Sequence, residues 1–482
     1  MFFATPCGFL TLCLFLCVGI GLERAFCSES NASAGWAEVE ITPPLGIFLG
    51  GRGGPLTRAK KVLSPLFAQV TCLKDAKGSL FVLASFDLVS LPHDLSDRIR
   101  TAIVHETGAE WNLVVLNSSH THSGPYMIRS LMAGVGPPPE EEIRYFAELE
   151  NKIIQATRQA FRRLRPVAVE VFSGTSEVAI NRRGRTQSGQ RGIIPDVSGP
   201  FDEKVWVLKL TPPDGAPSAV IFSYACHPVI VYGFALASIS PDFPGLARGN
   251  LKHSLGEKSH AQFVQGFAGN VRPRAVADLE RKKFRASKPA DLEKAGSDLA
   301  AAVLAALKGP GMSLSLDLAG TSDRPFLPRG EPPPRETYEK MRQDSLSKSN
   351  DYLLAASDYW LSRYDAHEGF AKGDVWSLGL IRLAENQWIA HSGGEPCVEW
   401  RAKISQWLKP LNIVTFGYSQ EGKSYLPTEE MLPQGGYEVL ESNRTRASTP
   451  APYAPGIEEA VRRSLVSQRA AILSRGETAG KH

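Results

Sequence analysis

Cysteine is scarce where cross-links would matter. Seven cysteines occur in 482 residues; Cys7, Cys13, Cys17 and Cys27 lie in or beside an apolar N-terminal stretch, leaving Cys72, Cys226 and Cys397 for the body. Three scattered cysteines exclude a disulfide framework and read as buried small hydrophobes. An excess of one charge is lacking as well: 54 Lys and Arg face 50 Asp and Glu, a net charge of +4, so nothing electrostatic points to nucleic acid as a partner. Beyond the N-terminus there is no long apolar run, and a mean hydropathy of −0.15 argues against a multi-span membrane protein. No internal repeat, heptad pattern or low-complexity tract appears. What is present is 43% hydrophobic and 22% charged, the balance of an ordinary globular chain. The length suits two to three average domains or one large α/β unit with insertions.

The N-terminus departs from this average. An uncharged apolar run from Cys7 to Leu22 precedes a small-residue polar segment. The run is short for a spanning helix, so residues 1–29 read as a signal peptide, with an uncleaved anchor as the alternative because no Lys or Arg precedes it. Either reading makes the protein secreted, periplasmic or cell-surface. Arg24-Ala-Phe-Cys27 is a poor match to a lipoprotein cleavage box.

Periodicity along the body predicts an α/β fold. Residues 35–44 open it with a short strand; residues 68–73, 80–86 and 111–116 read as strands, with helical spacing at Leu95, Ile99 and Ile103 between the last two. Strand, helix, strand in that span is a βαβ signature. Residues 139–163 form a long amphipathic helix, acidic at its start and basic at its end. Strands are expected over 167–172, 205–210, 219–224 and 312–318, and a helix over 291–307. A proline-rich segment, 323–334, then introduces a charged helical stretch over 335–364, which reads as an insertion packed on the rim. Strands at 375–383, 387–390 and 413–416, with helices at 398–408 and 456–473, complete the chain.

With only ten histidines in the chain, the pair in Asn117-Ser-Ser-His120-Thr-His122-Ser-Gly-Pro125 stands out. It follows an apolar strand, on the kind of loop where α/β proteins place chemistry. Residues i and i+2 of an extended segment face one side, so both rings could address one cavity. A polar turn whose histidines bond to backbone is the equal alternative. Three further positions share its character. His227 ends an apolar run before Pro228; Glu395 follows Gly393-Gly394 and starts a helix, which favours its ionised form; Tyr425 precedes a short apolar–proline step. Alone, each reads as structural: a core histidine, a helix-cap carboxylate, a packed tyrosine.

Taken in order, these pieces resemble the catalytic domain of the neutral (non-lysosomal) ceramidases. The resemblance runs from about Val39 to Leu440 through Glu40-Ile-Thr-Pro-Pro, Ser85-Phe-Asp-Leu, Ser119-His-Thr-His-Ser-Gly-Pro, Ala179-Ile-Asn-Arg, Ala225-Cys-His-Pro, Gly394-Glu-Pro and the block from Tyr425 to Tyr437. It implies one large catalytic domain over residues 35–475, with mixed sheets flanked by helices, a zinc site at strand ends and an insertion at about 320–372. It implies one zinc per chain, held by His120, His227, Glu395 and Tyr425, a usual catalytic donor set apart from the tyrosine. His122 would then face the scissile carbonyl as donor or proton shuttle, with Arg182, Tyr437 and Tyr425 nearby. The implied reaction is hydrolysis of the N-acyl amide bond of ceramide or a related N-acyl lipid by metal-activated water, with peripheral membrane contact. Another N-acyl amide or ester on the same site, or an inactive lipid-binding homologue, are the alternatives.

The pattern is broken in three places. Where the family carries an Asp-Val-Ser loop, this chain has Asn270-Val-Arg272; no serine nucleophile is available there, and Arg272 either suits an anionic substrate or is tied to a carboxylate. The family's β-sandwich is not expected after the catalytic domain, and the 320–372 insertion has no secure counterpart. Asp242 reads as a turn cap rather than a partner of a metal-bound histidine. Gly50-Gly-Arg-Gly-Gly54 reads as a flexible rim, not a phosphate loop. Asn31, Asn117 and Asn443 sit in formal glycosylation sequons, and Asn117, so close to His120, is expected to be unmodified. Cys226 and Cys397 are expected as neighbouring buried thiols.

Overall fold

The computed structural model describes residues 32–51 and 56–479; the leader or anchor reading of residues 1–29, the Asn31 sequon and residues 52–54 of the glycine-rich segment fall outside them. Three mixed sheets organise these residues. The first runs Val114–Ser118, Leu80–Phe86, Phe67–Lys74, Ser33–Glu40, Arg165–Pro166 in space; the second His260–Gln265, Ala219–Tyr224, Lys204–Thr211, Ala168–Thr175, Met312–Ser313; the third Ala319–Asp323, Leu378–Ala384, Gln387–Ser392, Asn412–Phe416.

Strand alternation assigns the two faces of each sheet. Phe81, Leu83 and Val115 from the first, Trp206, Leu208 and Ile221 from the second, and Ile381, Ile389 and Phe416 from the third share one central core. Their sequence neighbours face outward onto helices. Val82 and Leu116 pack under helices His93–Thr107 and Glu140–Arg162; Val207 and Phe222 under Asp242–Leu255 and Pro289–Lys308; Leu380 and Trp388 under Glu399–Trp407 and Ile457–Ala479. Burial on both faces explains why these strands read as near-continuous apolar runs.

Each sheet has one parallel pair, and each pair is joined by a crossover helix. These are Leu80–Phe86 with Val114–Ser118 around helix His93–Thr107, Ala219–Tyr224 with His260–Gln265 around Asp242–Leu255, and Gln387–Ser392 with Asn412–Phe416 around Glu399–Trp407. The α/β class and most predicted elements agree with this. In the middle βαβ unit periodicity shows the first strand but neither helix Asp242–Leu255 nor strand His260–Gln265. Residues 111–113 are a short 3-10 turn before a strand that begins at Val114, and the strand expected over 312–318 pairs only through Met312–Ser313. The stretch 335–364 is two helices, Arg335–Ser347 and Asp351–Asp365, packed around Tyr338 and Trp360.

Candidate metal centre

The three βαβ units deliver the predicted donors. His120 follows the end of Val114–Ser118, His227 follows Ala219–Tyr224, and Glu395 follows Gln387–Ser392. Chemistry outside the carboxyl ends of strands is the rule for such sheets. Tyr425 arrives by backbone pairing: Glu395–Pro396 and Tyr425–Leu426 form a short parallel ladder.

Nitrogens and a carboxylate converge there. His120 Nε2 lies 3.2 Å from His122 Nε2 and 3.2 Å from Glu395 Oε2, and His227 Nε2 lies 3.3 Å from that same oxygen. The ligand nitrogens of His120, His122 and His227 all fall within 4.8 Å of one another. His120 Nδ1 is 2.7 Å from the Val89 carbonyl oxygen, and His227 Nδ1 is 2.7 Å from that of Ala268. Each carbonyl must accept an N–H from Nδ1, which leaves Nε2 with a bare lone pair. His227 Nε2 and Glu395 Oε2 are buried without a hydrogen-bond partner. Two electron-rich atoms facing each other in a buried pocket repel unless a cation lies between them, so the donor set fits a metal ion. His120 also holds φ at +66°, a left-handed conformation that costs a non-glycine residue energy and clusters at functional sites.

Electrostatics favour the same states. Burial depresses His227 to about 3, helped by the charge of Arg182, so its imidazole is neutral. Burial alone would protonate Glu395, but its contacts with His120 and His227 outweigh that and hold it well below the usual carboxylate range. Burial raises the Tyr425 phenol well above the ordinary tyrosine range and that of Tyr437 to about 12, so Tyr437 keeps its proton at neutral pH. Their rings stand 5.5 Å apart, and the Arg182 guanidinium carbon lies 5.3 Å from one ring centre and 5.6 Å from the other. Arg182 and Arg183 clamp the two oxygens of buried Glu438, at 2.8 and 2.7 Å.

Several supporting residues had no signal in the sequence. Gln265 is fully buried; its Nε2 donates to the carbonyls of Ser119 and Cys226, at 2.8 and 2.9 Å, the residues preceding His120 and His227. The Asn117 side chain joins it, accepting from the Gln265 backbone and donating to Gly417 at 2.7 Å. The ends of all three edge strands thus meet in one polar junction beneath the donors. The Tyr418 ring lies 4.3 Å from the His120 ring. Tyr232 stacks on His122 with centroids 5.9 Å apart, and Arg272 Nη2 donates to the Tyr232 hydroxyl at 3.2 Å. Arg272 is therefore tied to a phenol, not a carboxylate, and does not line the main cavity. Asn270 donates to both oxygens of Glu399 and accepts from Val398 N–H.

The glycine-rich segment is not a loose rim where it is described. Gly50 N–H donates to Gly124, and Gly51, at φ +80°, sits so close to His122 that an added Cβ would lie 2.7 Å from its ring. Asp242 is a cap, as expected: its carboxylate accepts from the backbone of Ile230, Val231 and Phe243. Asn117 and Asn443 are both buried, so neither sequon is open to a glycan in the folded chain. Cys72, Cys226 and Cys397 are free, buried thiols.

The donors open onto a cavity of about 720 Å³. Its floor holds His120, His122, Glu395, Tyr425 and Tyr437, and the helical pair at 335–365 supplies one wall through Met341, Tyr352 and Leu353. His122, unlike its two neighbours, is only half-buried and faces this space.

Fold and site together define a mixed α/β protein with a buried imidazole–carboxylate cluster at its strand ends. Among solved structures, a neutral ceramidase from Pseudomonas aeruginosa superimposes with a TM-score of 0.70 at 17% identity, covering 92% of this chain and 75% of that one. A structure of a ceramidase complexed with C2 matches with a TM-score of 0.69, at the same identity and coverage. No protein-family model and no curated protein matches the sequence. The chain shares the neutral ceramidase fold, as its motifs implied.

Proposed function

We propose that the chain is a zinc-dependent amidohydrolase that cleaves the N-acyl amide bond of ceramide or a related N-acyl lipid. One zinc per chain would be held by His120, His227, Glu395 and Tyr425. The observation that carries this reading is the buried, unpartnered pair of His227 Nε2 and Glu395 Oε2, beside a His120 whose tautomer is fixed by a carbonyl. The ceramidase fold and a cavity with apolar walls support an acyl-lipid substrate.

Zinc in this donor set supplies Lewis acidity and a hydrolytic water active near neutral pH. The chain's own residues do the rest. His120 and His227 present neutral lone pairs, and Glu395 supplies negative charge. His122 reaches the cavity and is the group that passes a proton to the leaving amine. The protonated phenol of Tyr437, with Tyr425 beside it, donates toward the oxygen where negative charge develops, and Arg182 fixes both rings. Residues 35–475 act as one catalytic domain, with the helical pair of the 320–372 insertion shaping its mouth. Residues 1–29 direct export, so the enzyme works outside the cytoplasm and meets its substrate at a lipid surface.

Metal analysis and turnover of ceramide test this together. Purified protein should hold about one zinc per chain, as a single four-donor site requires, and His120→Ala should lose both metal and activity. His122→Ala should keep the metal and lose most of the rate. Full zinc occupancy in His120→Ala would overturn the ligand assignment.

A further inference from the structure

One charge in the cavity has no part in this chemistry. Arg446 lines the space beside Glu395 yet is only 9% exposed. Its Nη1 meets the Met132 sulfur at 3.8 Å, its Nη2 comes no nearer than 3.7 Å to Glu395 Oε1, and its Nε has no hydrogen-bond partner. A guanidinium carries five N–H donors, and burying them without acceptors is costly. Arg444 also lines the cavity with a buried, unpartnered Nε. Further out, Lys340 and Lys348 from the helical wall stand against Asp344 and Glu441, so cations outnumber carboxylates above the donor cluster. Tyr126, Tyr352 and Tyr437 complete the polar side. Burial raises all three phenols, and the charge of Arg446 is among those opposing that rise. Val89, Ile128, Met132, Met341 and Leu353 supply the apolar part of the lining, with Met132 against Arg446 itself.

We propose that the cavity selects an N-acyl amide whose amine portion carries a carboxylate, as in an N-acyl amino acid, seated on Arg446 with Arg444 behind it. This rests on the hydrolase reading above and narrows its substrate. The position of Arg446 sets the spacing. Glu395 turns one oxygen toward Arg446 and the other toward His120 and His227. The anion and the reacting carbonyl must therefore lie within a few bonds of each other, which an α-carboxylate satisfies and a charge at the far end of a large headgroup does not. The acyl chain then packs on the apolar residues of the lining. The reaction is simple hydrolysis: the water oxygen bonds to the acyl carbon, the C–N bond breaks, and a proton passes to the leaving nitrogen.

The test compares N-dodecanoylglycine, its uncharged analogue N-dodecanoylglycinamide, and N-dodecanoylsphingosine on the full chain. The acid should be preferred over the glycinamide in kcat/KM on the order of 10- to 100-fold, the worth of a charge-assisted hydrogen bond. Arg446→Gln should collapse that ratio, Arg446→Lys should retain part of it, and Arg444→Gln should lower it less. A purely structural role for Arg446 would slow both substrates alike and leave the ratio unmoved. Equal wild-type rates on acid and glycinamide, with ceramide turned over, would sink the anion site and spare the hydrolase. Should no amide be cleaved by zinc-loaded protein, the hydrolase reading fails, and binding to the metal-stripped chain still decides the anion site. Tighter binding of the acid, lost in Arg446→Gln, supports it; equal binding of both overturns it. If Arg446→Gln does not fold, the wild-type ratio and Arg444→Gln carry the same decision.

Discussion

Replacing Gln265 with leucine tests whether the polar junction beneath the donors holds them in place. Leucine has nearly the same volume and is at home in a buried site, so packing changes little. Three backbone groups lose their partners: the carbonyls of Ser119 and Cys226, and the Cys226 N–H that reaches the Gln265 side-chain oxygen at 3.3 Å. An unsatisfied buried polar group costs about 1–3 kcal/mol. With one of the three bonds long, the expected loss is about 3–5 kcal/mol, a large share of the roughly 5–15 kcal/mol that stabilises a folded domain. The functional loss should be separate and specific. Ser119 and Cys226 each precede a histidine donor, so relaxing them lets both imidazoles drift, and supporting groups of this kind are worth roughly 10- to 100-fold in metal affinity. Urea unfolding monitored by circular dichroism reads the first quantity, and competition for zinc against a chelator reads the second. A Gln265→Leu protein that unfolds at lower urea yet binds zinc within twofold of wild type would refute the positioning role. Unchanged behaviour in both assays would refute the whole argument about the junction.

Three further substitutions reach other parts of the structure. Gly51→Ala should leave zinc content intact and cut kcat, because the new Cβ meets the His122 ring and the backbone there is left-handed; activity equal to wild type would show that His122 does not need its present position. Glu438→Leu should destabilise the chain by about 3–5 kcal/mol, since it strands the buried guanidiniums of Arg182 and Arg183; a urea midpoint near wild type would contradict this. His391, on the strand that leads to Glu395, is buried and depressed to about 3 by burial, as His260 is to about 4. A folded pKa below the unfolded value of about 6.5 means stability is present above that pH and is lost as pH falls toward the folded pKa. His391→Gln should flatten the stability–pH slope between about pH 6.5 and 4 by up to one proton, roughly 1.4 kcal/mol per pH unit; an unchanged slope would argue against the neutral buried imidazole.

Much of this architecture was readable before the fold was known, for reasons that can be stated residue by residue. Leu80–Phe86 and Ala219–Tyr224 are apolar runs because both faces of their sheets are covered. Helix Glu140–Arg162 announces itself through one apolar stripe and an acidic start. Helix Asp242–Leu255 did not, because Pro244, Gly245 and Gly249 are poor helix formers. The strand after it, His260–Gln265, hides for a related reason. Gln262 and Gln265 are fully buried but polar: Gln262 serves the carbonyls of Gln69 and Leu83 while Gln265 serves the histidine loops. At the site, His120, His122, His227, Glu395 and Tyr425 stand out as residue types with chemistry. Arg446, Tyr232 and Gln265 do not, because their meaning comes from approach between segments distant in sequence.

The three edge strands that meet at Asn117, Gln265 and Gly417 have a consequence for assembly. Each of His120, His227 and Glu395 follows a strand of a different sheet, and long stretches of chain separate the three residues. No sheet alone, and no pair of sheets, brings His120, His227 and Glu395 together. Tight metal capture should therefore come at the end of folding, once all three sheets have docked, and the ion would then link units that could otherwise open separately. Metal occupancy would thus report completed assembly, and amide exchange at the ends of the three edge strands should slow together when zinc binds.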